Sequence, residues 1–124
     1  MTDTTITATI TPSATNSKIF IIVTFQLRFL RDTNSAMGCN IQVLRGATVI
    51  SGSTELLQFQ MDTDSSGRAA LRMPWAWNYL DSPNTTSATT YKVQASASTT
   101  SNNGQVVAQS NNMVSTITLI EIGA

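Results

Sequence analysis

Apolar residues recur at every second position along most of the chain. From Ser17 to Arg31 the odd positions Ile19, Ile21, Val23, Phe25, Leu27 and Phe29 are all apolar, while the even positions begin apolar at Phe20 and Ile22 and turn polar at Thr24, Gln26 and Arg28. Period two predicts a long strand, with one face in the core throughout and the other covered only at its start. A helix would need apolar residues three and four apart, and the β-branched content opposes one. The same alternation runs through Ile6, Ala8 and Ile10 up to Pro12, so 5–11 reads as an early edge strand. Cys39, Ile41 and Val43 alternate with Asn40 and Gln42, and Arg45-Gly46 breaks that run before Val49-Ile50, as in a hairpin. Further strands are expected at Leu57 to Met61, Ala69 to Met73, Trp75 to Leu80 beyond Pro74, Tyr91 to Ala97, Gln105 to Gln109 and Ser115 to Ile122. Turn clusters such as Asp81-Ser82-Pro83-Asn84 and Asn102-Asn103-Gly104 separate them.

About eight to ten short strands, spaced by turns and with no helical segment, predict an all-β protein. The expected fold is a jelly-roll-like antiparallel β-sandwich over 1–124 as one domain, with 1–5 as a short polar arm. Several strands are apolar on both faces: Phe20 and Ile22 oppose Ile21 and Val23, and Ile120 and Ile122 oppose Ile117 and Leu119. A two-sheet sandwich buries one face per strand. The surplus therefore predicts burial between subunits.

Composition then removes function classes. The chain has 124 residues, seven basic and seven acidic side chains, no histidine, and 11% charged residues, where soluble domains carry about 25%. Without histidine there is no imidazole base, no Ser-His-Asp triad and no His-ligated metal. The single cysteine, Cys39, can form neither an internal disulfide nor a thiolate zinc site. Net charge of zero gives no electrostatic footprint for nucleic acid or an anionic membrane. The longest aliphatic or aromatic run, Ile19 to Val23, is far short of the ~20 residues of a membrane-spanning helix. The start, Met1-Thr2-Asp3-Thr4-Thr5, has neither the basic nor the apolar stretch of a signal peptide. With 20 threonines, 14 serines and nine asparagines, the picture is an uncharged, Thr-rich domain with little machinery for catalysis, and no enzyme or cofactor is expected.

Five features bear on possible chemistry. Asp62-x-Asp64-x-Ser66-Gly67 matches the first half of a calcium loop, but position 12 is Met73 where a bidentate Glu is needed, so a hairpin turn is the expected reading and no metal site is assigned. Trp75, Trp77 and Tyr79 fall on one face of one strand, as core, as a subunit interface, or as an aromatic platform for a glycan. Core or interface is the expectation. The carboxylates lie mostly at turns and ends and recommend no glycosidase pair. Cys39 alternates with Ile41 and Val43 and reads as a small buried hydrophobe. The arginines Arg28, Arg31, Arg45, Arg68 and Arg72 are spread along the chain and form no patch for nucleic acid.

Two segments carry a family resemblance. Ile6-Thr7-Ala8-Thr9-Ile10-Thr11-Pro12-Ser13 leading to Ser17-Lys18-Ile19, and Tyr79-Leu80-Asp81-Ser82-Pro83-Asn84 leading to Tyr91-Lys92-Val93-Gln94 and to Ser115-Thr116-Ile117-Thr118-Leu119-Ile120-Glu121-Ile122, resemble a group of phage virion proteins common among phages of aquatic bacteria. The resemblance covers both ends and the third quarter of the chain, and not residues 32 to 75. It implies a jelly-roll sandwich in a homotrimer, located on the virion. There it serves as a capsid decoration (cement) protein bound to the major capsid protein on the capsid exterior, or as the tip of a head or tail fibre recognising host glycan. With only about five polar residues before the first expected strand, the chain reads as a bare module, which favours the decoration protein.

Overall fold

The computed structural model describes residues 1–32, 37–51, 57–61, 69–98, 103–109 and 112–123, and its regular elements there are all strands. They are β1 (Thr2–Ile10), β2 (Lys18–Arg31), β3 (Met37–Arg45), β4 (Thr48–Val49), β5 (Leu57–Met61), β6 (Ala69–Asp81), β7 (Thr89–Ala97), β8 (Gln105–Ala108) and β9 (Thr116–Ile122). Two antiparallel sheets form an all-β sandwich. Sheet A runs β1-β7-β3, with β4 and β5 both on the far side of β3; sheet B runs β6-β2, with β8 and β9 both on the far side of β2. β4 lies against Leu44 and Arg45 and β5 against 37–41, while β8 lies against 27–30 and β9 against 18–24. Two outer positions are therefore each filled by a pair of short strands placed end to end.

The pairings nest. Ile41 is in register with Leu57, Phe25 with Trp75, and Ala8 with Tyr91, so each pair is spaced evenly about the same point beside Val49. The β3–β5 pair lies in sheet A, the β2–β6 pair around it in sheet B, and the β1–β7 pair around that in sheet A again. Strands β1–β3 and β5–β7 thus form one long antiparallel ribbon rolled into two layers, β8 and β9 lie along β2, and Gly46 turns β3 into β4. Gly46 takes a φ of 57°, the left-handed conformation glycine adopts most readily.

The odd residues of β2 form the middle of the core: Ile19, Ile21, Val23, Phe25, Leu27 and Phe29 are all buried, as their alternation predicts. Cys39, Ile41 and Val43 of β3, Tyr91 and Val93 of β7 and Ile6 of β1 meet them from sheet A. Each fully buried side chain of this size contributes roughly 1.5–3 kcal/mol of transfer free energy. At one end a polar clasp joins the layers. Arg45 Nη1 donates to both carboxylate oxygens of Asp81, at 2.8 and 2.9 Å, and the Tyr91 hydroxyl donates to Asp81 Oδ2 at 2.7 Å. Burial, and then the hydrogen bond to the Asp81 carboxylate, push the Tyr91 phenol well above its ordinary range, so it stays a donor.

Two boundaries differ from the sequence expectation. The segment expected to be a polar arm, 1–5, belongs to β1 from Thr2 onward. Its hydroxyls and carboxylate substitute for apolar anchors. Asp3 accepts from Gln94 Nε2 and Lys92 Nζ, and Thr4 Oγ1 donates to the Val93 carbonyl while accepting from the Ile6 amide, spanning a register shift between Asp3 and Thr7. Pro74 was expected to divide two strands, yet β6 runs through it for 13 residues. The reason lies in the ladder. The Gln26 carbonyl accepts from Gln109, so Gln26 turns its backbone groups toward the β8 side. Pro74 is its partner across the β2–β6 ladder, so the ring replaces an N–H that would face the free edge of the sheet.

Candidate interaction surface

The aromatic stripe occupies the inner side of β6. Trp75, Trp77 and Tyr79 are in register with Phe25, Val23 and Ile21. The Trp75 ring lies over Phe25, with centroids 4.8 Å apart and planes tilted by 52°, and both tryptophans pack half-buried against the core. Tyr79, at the strand end, is exposed and stacks on Trp77 at 5.6 Å. Asp62, Asp64 and Ser66 lie outside the described residues. Among those described, no cluster of three or more His, Cys, Asp or Glu residues could hold a metal. Cys39 is fully buried, and burial pushes its thiol up to about 12, far from a reactive thiolate. The carboxylates among the described residues are held by separate partners: Asp3 by Lys92 and Gln94, Asp32 by Asn103, Asp81 by Arg45 and Tyr91, and Glu121 by the amide and hydroxyl of Ser13.

A shallow groove of about 330 Å³ lies where the free edges of the two sheets approach, between Thr2–Thr5 of β1 and Val106–Gln109 at β8. Its lining joins threonines and a few aliphatic residues with Gln109 and one charged residue, Asp3. No ionisable pair faces another across it.

The two outer faces of the sandwich are unlike. That of sheet A carries Asn40 and Gln42 of β3 beside Ser96 and Gln94 of β7, then Lys92, Thr90, Thr7 and Thr9 toward β1. Thr9 and Thr90 bond through their hydroxyls at 2.8 Å, Leu44 and Val49 lie at one end, and the exposed Met1 accepts from Ser96 near the other. The outer face of sheet B is ordered in rows by the β2 register. Lys18 and Ile122 form its top row, and Leu80, Phe20 and Ile120 the next. Below them come Asn78, Ile22 and Thr118, then Ala76 with the bonded pair Thr24 and Thr116. Leu80, Ile120 and Ile122 are 44%, 43% and 45% exposed. They form the contiguous apolar outer surface that the double-sided strand pattern predicts.

Lower on that face the strand opposite β2 is interrupted between β8 and β9. Gln109 and Asn112 both take left-handed backbone angles, at φ 60° and 54°, and the segment between β8 and β9 leaves Met113 52% and Val114 83% exposed. Met113 and Val114 wall a pocket of about 200 Å³ whose other side is Thr24, Gln26, Pro74 and Ala76. The next row holds Arg72, Arg28 and Val107. Two arginines far apart in the chain thus stand side by side. Only the ribbon register, which no local motif reveals, brings them together. No family model, curated protein or solved structure matches this chain.

Proposed function

We propose that the protein is a structural virion component: a capsid decoration protein that binds the outer surface of the phage capsid as a homotrimer and stabilises contacts between capsomers. The observation that carries the reading is the outer face of sheet B. Leu80, Phe20, Ile120, Ile22 and Ile122 present contiguous apolar surface with Lys18 as the one charged neighbour in those rows. Contiguous surface of this kind is covered in assemblies. The Thr, Asn and Gln side chains around it offer hydrogen bonds without the desolvation cost of charges. The rolled antiparallel ribbon supports a jelly roll, the winding in which nested pairs alternate between two sheets. The resemblance in 6–19 and 79–122 supports the virion.

Binding that occurs only on the assembled shell shifts the balance against its dissociation by mass action. No side chain needs to react. Quantitative gels of purified virions should show the chain at a stoichiometry comparable to the major capsid protein, and particles stripped of it should fail sooner under heat or osmotic shock. Sedimentation of the free protein should give a trimer; a stable monomer at micromolar concentration would remove that part of the reading.

One observation favours a second reading, a receptor-binding fibre tip: Tyr79 is exposed and stacked on Trp77, a ledge on which a sugar ring could rest. Low copy number on the virion, with glycan binding lost in Tyr79→Ala while the oligomer persists, would establish it.

A further inference from the structure

Arg28 and Arg72 are direct cross-strand partners on the outer face of sheet B. The pair has the same parity as Gln26 and Pro74, whose backbone groups point away from each other. It therefore belongs to the non-hydrogen-bonded class, in which the facing Cα atoms are about 4.5 Å apart and the side chains closest. Like charges directly opposite are destabilising, whereas an acid opposite an arginine would be stabilising. Here no carboxylate among the described residues pairs with either guanidinium: Asp3, Asp32, Asp81 and Glu121 are held elsewhere. Arg28 Nε is buried without an acceptor, although a buried donor left unpaired is costly. Arg72 is exposed beside it.

We infer that Arg28 and Arg72 form a receiving site for a carboxylate side chain of a different polypeptide, which docks on the lower rows of this face. A carboxylate between the two would accept bonds from both forks and cancel their repulsion. The surroundings suit a protein. Val107 is exposed beside Arg28, and the pocket walled by Met113 and Val114 opens on the row of Gln26 and Pro74, directly adjacent. An acidic side chain next to an apolar one fits both features. Nucleic acid would call for basic residues spread over the face, and those flanking rows are neutral. The apolar rows above are a separate part of the surface, and the inference does not depend on the virion reading.

The test uses the full chain and three probes: a capped extended peptide alternating valine and glutamate, the same peptide with glutamine for glutamate, and inorganic phosphate. The glutamate peptide should bind at least about tenfold tighter than the glutamine peptide, weaken with added salt, and fall to the glutamine level in Arg72→Gln. Free Arg72→Gln should melt about 2 °C above the wild type at low salt, because the opposed charge is gone. Equal affinity for the two peptides, or full glutamate-peptide binding by Arg72→Gln, overturns the inference. So does phosphate raising the melting temperature as far as the glutamate peptide does, which would mark a site for free oxyanions. Self-association that disappears in Arg72→Gln without any peptide would assign the carboxylate to a second copy and overturn it equally.

Discussion

The outer faces of the two sheets are built from strands of the same ribbon, yet they solve different problems. Sheet A ends in an amide and hydroxyl surface: Asn40 beside Ser96, Gln42 beside Gln94, Thr9 bonded to Thr90. Water satisfies such a surface completely, and it has no reason to be covered. Sheet B ends in Leu80, Phe20 and Ile120 at one end and, at the other, an arginine pair that no carboxylate among the described residues neutralises. In water both are unfavourable, the first by exposed hydrocarbon and the second by like-charge repulsion. One layer of the sandwich is finished as a surface, and the proposed function gives the other to contact.

The contrast can be broken most severely from within. Ile21→Ala, at a fully buried position shared by both layers, should cost about 2–5 kcal/mol in denaturant unfolding and weaken both faces alike. Ile120→Lys should separate them. Folding stability stays near the wild type because the side chain is half exposed, while self-association measured by sedimentation weakens roughly 30-fold, as for loss of a 2 kcal/mol interface anchor. Gln94→Lys, the matching change on sheet A, should leave association unaltered; an equal loss from both would erase the distinction between faces. Smaller again is Tyr91→Phe, which removes the donor to Asp81 from the clasp between layers and should cost about 1.5 kcal/mol without touching either outer face.

The smallest effect is one of pH. Hydrogen bonds from Gln94 and then Lys92 hold the Asp3 carboxyl below its ordinary value. A carboxylate depressed in the folded state contributes stability above its unfolded value, and loses that contribution as pH falls through the folded one. Protection of the first amides of β1, taken as exchange relative to the intrinsic rate at each pH, should therefore fall only below about pH 4, and Asp3→Asn should abolish the step.

Much of the sandwich is legible in the sequence, because β2 states its inner face in six consecutive odd positions and Cys39, Ile41 and Val43 state theirs. Alternation reports which way a side chain points and not which strand lies beside it. For that reason the surplus on Phe20, Ile22, Ile120 and Ile122 could be anticipated, whereas Arg28 beside Arg72 could not: their meeting depends on the register of a ribbon folded about Val49. Pro74 and the first residues misled for a related cause. A proline ends a strand only where its missing N–H is needed, and Thr2 to Thr5 pair through hydroxyls and a carboxylate that carry no hydropathy signal.

The even spacing of the three nested pairs about Val49 also has a kinetic meaning. If the β3–β5 hairpin closes first, each pair that forms shortens the loop the next must close, so β2 with β6 and then β1 with β7 add at small further entropic cost. Such a chain assembles like a zip fastener worked from its middle and opens in the reverse order. The last tooth to close and the first to part is β1, the strand that hydroxyl groups hold in place.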